Sequence, residues 1–154
     1  MQVNRAKQGF SDHLMDKAEQ LCESGFFEAS LVTAQSACEI CCEQAFGSFL
    51  ERRGIIFLQN ALHELIPNYN VSNSKTEKLY NAIASDRIQQ QPFWRAYSNL
   101  TQHRNKVVHS GALVTKAEAE GYLEAARRLI EYMDNATSGV ELDQSQTAVD
   151  PLQG

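Results

Sequence analysis

The chain has 154 residues, of which 43% are hydrophobic, and a formal net charge of −5. This length suits one packed core and is too short for two ordinary domains. No stretch approaches the roughly 20 consecutive apolar residues of a membrane-spanning helix, and residues 1–9 lack the apolar segment of a secretory signal. We therefore expect a soluble, cytoplasmic protein without a membrane partner, whose overall charge does not favour nucleic acid.

Composition favours helices, because only eight glycines and three prolines interrupt the chain and strong helix formers fill the segments between them. Ser11 is predicted to cap a first helix, which Gly25 ends. A second predicted helix, over about 27–53, is apolar around most of its circumference, so it should lie at the centre of the fold. Its narrow polar stripe consists of Gln35, Ser36, Glu39 and Glu43.

The next predicted helix ends at Pro67. Its apolar face comprises Ile55, Leu58, Leu62, Leu65 and Ile66. Ser74 and Glu77 have the spacing of a capping box, which predicts that a short helix begins there.

Two further helices are predicted after Gln91. Pro92 suits the first turn of one of them, and Thr115 with Glu118 forms a second capping-box pattern that opens the last. From residue 136 the sequence is polar and aperiodic. The predicted fold is therefore all-α, a four- to five-helix antiparallel bundle over residues 1–135 with a disordered polar tail over 136–154.

The chain has four cysteines, Cys22, Cys38, Cys41 and Cys42. Three of them fall within five residues of one predicted helix, which does not suit a secreted disulfide framework. No second Cys-x-x-Cys and no nearby histidine completes a four-ligand metal set. We expect small buried core residues, and neither a metal nor a cofactor.

Positive charge is concentrated in one part of the chain. Residues 79–117 hold five basic side chains and one acid, whereas the rest of the chain holds nine basic and eighteen acidic residues. Such a positive island is compatible with a phosphate-binding cleft. It is equally compatible with the ordinary mixture of charges on a protein surface.

Arg104 has the most unusual position in the sequence. Apolar residues recur at helical spacing along its segment, and Arg104 falls on the same stripe, which contains Phe93, Tyr97, Leu100 and Val107. A guanidinium on a core-facing stripe is unfavourable unless it is paired or meets an anion. The alternatives are a structural ion pair, or a stem that packs on the stripe while the charged end reaches solvent.

His109 lies five residues after Arg104, near the predicted end of this helix at Ser110-Gly111. Five residues correspond to about 140° around an ideal helix, an offset that a long arginine side chain can bridge. Asn105 and His109 are four residues apart and share a face. The helix C-terminus favours a protonated imidazole, which suits acid–base chemistry, although an exposed histidine at a helix end is often only a surface residue.

The segment Arg104-Asn105-Lys106-Val107-Val108-His109 resembles the signature of the HEPN superfamily (higher eukaryotes and prokaryotes nucleotide-binding), an arginine followed by four to six residues and a histidine. Its context is also similar, because the motif ends one helix, precedes another, and follows a long Ala/Cys-rich helix that carries Glu39. The resemblance covers about residues 11–134.

The resemblance implies a homodimer in which two motifs face one cleft, and a metal-independent endoribonuclease, often a toxin or defence effector with an antitoxin or regulatory protein as partner. Arg104 would then hold the RNA phosphate and His109 would be the acid–base group. Asn105 and Glu39 would support them. His103, Lys106 and Arg95 would contact RNA.

One position departs from a subset of the family. Members that a partner nucleotidyltransferase silences typically carry a tyrosine two residues after the histidine, where this chain has Gly111, so this mode of control is not expected. Two other interpretations remain open. The chain is either a non-catalytic HEPN module that binds nucleotide, RNA or protein, or an unrelated helical interaction protein.

Overall fold

A computed structural model describes residues 2–66 and 68–143, with side chains over 9–66 and 68–138. In these ranges all regular structure is helical, and the predicted all-α bundle is confirmed. The α-helices are α1 (Gln2–Glu23), α2 (Phe27–Arg52), α3 (Gln59–Leu65), α4 (Ser74–Ala84), α5 (Trp94–Ser110) and α6 (Lys116–Asp143). Short 3-10 turns over Ile56–Leu58 and Ile88–Gln90 precede α3 and α5.

Helices α1 and α2 form a close antiparallel hairpin. The buried hydroxyl of Ser11 donates a hydrogen bond to the Ala37 carbonyl at 2.9 Å, and that of Ser30 donates to the Ala18 carbonyl at 2.8 Å. These small side chains let the two backbones approach closely while their own polar groups stay satisfied. Gly25, with a φ of 84°, makes the turn between the helices.

Helices α5 and α6 complete the bundle, and both contact α2. Cys38 and Cys41 of α2 pack on the carbonyls of Ala126 and Ile130, in the same chain order, so α2 and α6 run parallel. Helix α5 runs antiparallel to both. The four long helices thus alternate in direction along the chain, as in an up-down-up-down bundle.

The central position predicted for the second helix is confirmed. Twelve of the 26 residues of α2 are buried, and α2 contacts α1, α3, α4, α5 and α6. A helix with neighbours on so many sides needs the nearly continuous apolar surface that its sequence provides.

Three helix ends differ from the sequence-based prediction. Helix α1 already begins at Gln2, so Ser11 lies inside it and bonds to α2 instead of capping it. Asn73, rather than Ser74, caps α4 by accepting from the Lys75 N–H at 3.0 Å. Pro92 lies in the turn before α5, which begins at Trp94.

Helix α6 continues to Asp143, eight residues beyond the predicted end of the folded domain. Ala136 packs against the core, and the Arg52 guanidinium of α2 donates a hydrogen bond to the Thr137 carbonyl. A long-range contact of this kind leaves no periodic pattern in the local sequence. The rest of the predicted disordered tail, residues 144–154, lies outside the described residues.

The predicted apolar face of the third helix is only half buried. Leu62 and Ile66 contact the core, whereas Leu58 and Leu65 are 40% and 68% exposed. His63 of this short helix lies beside α2, with its Nε2 3.6 Å from a Glu43 carboxylate oxygen. Its Nδ1 lies 3.2 Å from the Tyr69 hydroxyl, whose pKa burial raises to about 12.

Three cysteines of α2 are buried core residues, as predicted. Cys38, Cys41 and Cys42 are at most 3% exposed, and burial raises the pKa of each thiol above its ordinary value. The fraction of thiolate, which is the nucleophilic form, is therefore very small at neutral pH. Such thiols are expected to be chemically inert while the protein is folded.

We expect these three thiols to resist a thiol-specific reagent such as dithionitrobenzoate at pH 8 in the native protein. Unfolding in urea should release four reactive thiols per chain. A Ser24→Cys variant, which places a thiol at an exposed position, provides the positive control and should react at once. Rapid native labelling of Cys38, Cys41 or Cys42 would contradict the packing of α2 described above.

Candidate functional site

The Arg104 motif occupies the second half of α5, where the apolar stripe of this helix leaves the core. Tyr97 and Leu100 are fully buried, Arg104 one turn further is half-buried, and His109 in the last turn is exposed. Arg104 thus lies where the stripe passes from the core to the surface. The sequence-based expectation that Arg104 lies on the stripe therefore matches its position.

Arg104 has hydrogen-bonding capacity that the fold does not use. Its Nη1 donates to the side-chain oxygen of the adjacent Asn105 at 3.1 Å. Its Nε is buried and has no hydrogen-bond partner among the described residues. No carboxylate of these residues forms an ion pair with the guanidinium. An arginine without a carboxylate partner is suited to binding an anion such as a phosphate.

His109 projects from the end of α5, and its ring forms no hydrogen bond within the described ranges. The helix ends one residue later in a turn in which the Gly111 N–H donates to the Val107 carbonyl at 3.0 Å. Gly111 has a φ of 67°, a conformation that glycine adopts without strain. The helix end and the turn at Gly111 thus fix the backbone position of His109, and its exposed imidazole is accessible to a ligand.

The loop that follows the motif is held firmly by side chains from three helices. His103 of α5 donates from Nε2 to the Leu113 carbonyl at 3.0 Å, and its Nδ1 lies 3.2 Å from the Tyr122 hydroxyl of α6. Glu28 of α2 accepts from the Val114 N–H at 3.1 Å. These contacts fix the chain direction between α5 and α6 and leave the Leu113 side chain 83% exposed.

The capping box at the start of α6 is confirmed. Thr115 Oγ1 accepts from the Glu118 N–H at 3.2 Å, and the Glu118 carboxylate accepts from the Thr115 N–H at 2.9 Å. The hydrogen bond from the Thr115 N–H to the carboxylate is the main cause that lowers the pKa of Glu118, since it favours the charged form. The start of α6 at Lys116 is therefore defined locally, and five residues, 111–115, separate it from the end of α5 at Ser110.

Of the supporting residues predicted from sequence, Asn105 lies beside Arg104 and Glu39 does not. Glu39 accepts from Gln35 Nε2 at 3.2 Å. Gln35 contacts Thr101 and Glu28 contacts Val114, so α2 and α5 are antiparallel. Glu39 therefore lies on the opposite side of Gln35 from Arg104.

The three predicted RNA contacts are not equivalent in the structure. Lys106 and Arg95 are exposed on α5 and are free to contact a ligand. Both ring nitrogens of His103 are occupied by contacts within the chain. We therefore assign His103 a structural role and leave it out of the proposed RNA-binding residues.

A buried polar network below the motif was missed by the sequence reasoning. Gln35, expected on the polar stripe of α2, is fully buried, and its Oε1 accepts from the Thr101 hydroxyl at 3.1 Å. Its Nε2 lies 3.3 Å from the Tyr97 hydroxyl, which donates to Asn70 Oδ1 at 3.0 Å. Burial raises the pKa of Tyr97 well above its usual value.

This network joins α2, α5 and the loop before α4, and it packs against the buried half of the stripe that carries Arg104. A glutamine in an apolar helix does not by itself indicate burial in the sequence. A buried glutamine needs hydrogen-bond partners, and here those partners come from distant segments. The network anchors the helix on which the motif lies.

The described ranges contain no group of three or more His, Cys, Asp or Glu side chains that could hold a metal ion. Within them, too, no helix combines the length and apolar character that crossing a membrane requires. No protein-family model, curated protein or solved structure matches the chain.

Proposed function

We propose that the chain is a HEPN-type endoribonuclease that cleaves RNA without a metal ion, in a cleft shared by two subunits. The observation that carries this proposal is the state of Arg104. Its half-buried guanidinium has no carboxylate partner and an unused Nε donor in the described structure, and the accessible His109 lies about 7.5 Å further along the helix axis. An arginine of this kind gains most from an anionic ligand.

The proposed reaction is transesterification within the RNA strand. A histidine base removes the proton of a ribose 2′-OH, and the 2′ oxygen forms a bond to the adjacent phosphorus. The bond from phosphorus to the 5′ oxygen breaks, and a second histidine, in its acid form, protonates that leaving oxygen. The products are a 2′,3′-cyclic phosphate and a free 5′-OH.

Each group in the motif has a role that its chemistry suits. Arg104 stabilises the negative charge that develops on the phosphate oxygens, and Asn105 orients the guanidinium through the bond to its Nη1. His109 supplies the base from one subunit and the acid from the other, because one imidazole cannot hold both protonation states at once. Lys106 and Arg95 contact the RNA backbone electrostatically.

The proposed assembly is a two-fold homodimer, in which the exposed end of α5 faces its counterpart. Toxin or defence activity, with an antitoxin or regulatory protein as partner and a cytoplasmic location, belongs to the same proposal. It derives from the resemblance of residues 104–109 to the HEPN signature.

A non-catalytic module that binds nucleotide or RNA is the second candidate function. It is favoured by the absence of any side chain that orients the His109 ring in the described structure, because a general base is usually positioned by a third group. Binding without cleavage would need Arg104 and the neighbouring cations, and not His109.

We expect purified protein to cleave total RNA in the presence of EDTA, and Arg104→Ala to lower the rate by about 100- to 1,000-fold, the usual effect of removing a group that stabilises transition-state charge. Arg104→Lys should recover only part of the loss, since an ammonium lacks the planar pair of donors. The matched control is Arg87→Ala, which removes an exposed charge before α5 and should leave the rate unchanged.

Products ending in 2′,3′-cyclic phosphate, formed by a species that sedimentation shows to be a dimer, are the expected result. An inert, folded wild type that still binds RNA through Arg104 would establish the module instead. Equal cleavage by wild type and Arg104→Ala would show that the nuclease activity, if present, lies elsewhere.

A further inference from the structure

Helices α1 and α6 are separated by an open groove on the side of the bundle away from the network around Gln35. Its volume is about 640 Å³. Helix α1 contributes Glu19, Cys22 and Glu23, and α6 contributes a stripe that extends from Lys116 to Glu131. At a rise of about 1.5 Å per residue this stripe is roughly 23 Å long, so the groove follows about four turns of α6.

The groove has an apolar floor and charged rims. Cys22 and Leu123, each 6% exposed, form the apolar part of the floor. Arg127 crosses from α6 to α1, where its guanidinium lies 2.7 Å from Glu19 and 3.3 Å from Asp16. The two helices are thus connected by this ion pair while the surface between them stays open.

Negative charge predominates along the rims, which carry five glutamates and three cations. Every one of these cations is already paired within the chain. Lys116 pairs with Glu120 at 3.8 Å, and Arg128 pairs with Glu124 at 2.7 Å, both as exposed neighbours on α6. Exposed pairs of this type are weak, so their carboxylates remain available to another cation.

Two rim carboxylates, Glu23 and Glu131, form no ion pair within the described residues. They lie on opposite rims and are exposed. A ligand that brings positive charge to both rims and apolar groups to the floor would complement all of these features together.

We propose that this groove binds a basic amphipathic helix of a partner protein, with its apolar side on Cys22 and Leu123 and its lysine or arginine side chains on the rims. A groove of this length between two helices suits a third helix lying along them, and the excess of carboxylates selects a basic one. This inference does not depend on the nuclease proposal, because none of the groove residues belongs to the Arg104 motif.

The test uses a fluorescent synthetic peptide of about 18 residues, a length of roughly 27 Å as a helix, with leucine on one side and lysine and arginine on the other. Fluorescence anisotropy in 0.15 M salt should show saturable binding to the wild-type protein. The double variant Glu23→Lys, Glu131→Lys should bind at least about tenfold more weakly, as expected when like charges meet across an interface.

The matched control is Glu51→Lys, Glu64→Lys, which makes the same change in net charge at exposed positions outside the groove and should bind within about twofold of wild type. Circular dichroism confirms that each variant is folded. Equal weakening in both variants, or equal binding of a scrambled peptide of the same composition, would overturn the proposal, because either result means attraction by net charge alone. A wild-type dimer that the groove variant converts to a monomer would also overturn it, since a second copy would then fill the groove.

Discussion

Replacing His109 by alanine is expected to lower the rate of RNA cleavage by about 100- to 10,000-fold, the range that positioned acid–base groups contribute. The loss should be in the chemical step, because the exposed imidazole contributes little to RNA binding compared with the nearby arginine and lysine. The measurement is single-turnover cleavage of a labelled RNA with enzyme in excess, together with an RNA-binding titration.

His13→Ala is the matched control, since it removes an exposed histidine from α1 and should leave both rate and affinity unchanged. Wild-type protein should show a bell-shaped dependence of rate on pH, because one subunit needs a neutral imidazole and the other a protonated one. Added imidazole should restore part of the activity of His109→Ala. If that variant cleaves at the wild-type rate, His109 is not the acid–base group.

Replacing Tyr97 by alanine is expected to cost about 3–5 kcal/mol of folding stability, as for other large aromatic side chains removed from a core. Tyr97 is fully buried, so its loss leaves a cavity and also removes the hydroxyl that lies between Gln35 and Asn70. Urea unfolding followed by circular dichroism should show a lower midpoint with little change in slope.

Two further variants separate the polar contribution from the packing contribution. Tyr97→Phe keeps the ring and should cost only about 1–3 kcal/mol, since Asn70 Oδ1 still accepts from Ser72. Phe57→Ala, which truncates an aromatic ring that is 74% exposed, should change stability by no more than about 0.5 kcal/mol. Should Tyr97→Ala prove as mild as Phe57→Ala, the network does not anchor α5.

The long helices could be predicted from periodicity because their signals are strong and local. The near-continuous apolar surface of α2 correctly indicated its central position, and Thr115 with Glu118 marked the start of α6. One error occurs where a side chain bonds to a distant segment. Serine is a common helix cap, but the Ser11 hydroxyl donates its hydrogen bond to the Ala37 carbonyl of the next helix.

In the candidate site, too, some features were visible in the sequence and others depend on contacts between distant segments. An arginine on an apolar stripe was visible in the sequence, and the structure places Arg104 at the point where that stripe leaves the core. The direction of α2 relative to α5 was not visible, and it separates Glu39 from Arg104. Similarly, only contacts with α6 and the following loop show that His103 holds the fold together.

The order of these contacts along the chain has a consequence for protein synthesis. A nascent chain leaves the ribosome from its N-terminus, so the α1–α2 hairpin, whose contacts are between neighbouring segments, is complete before α5 emerges. The end of α5 is fixed later, because its loop needs Tyr122 of α6 as well as Glu28. Under the proposed function, a nascent chain has no finished motif until α6 has emerged and packed against this loop.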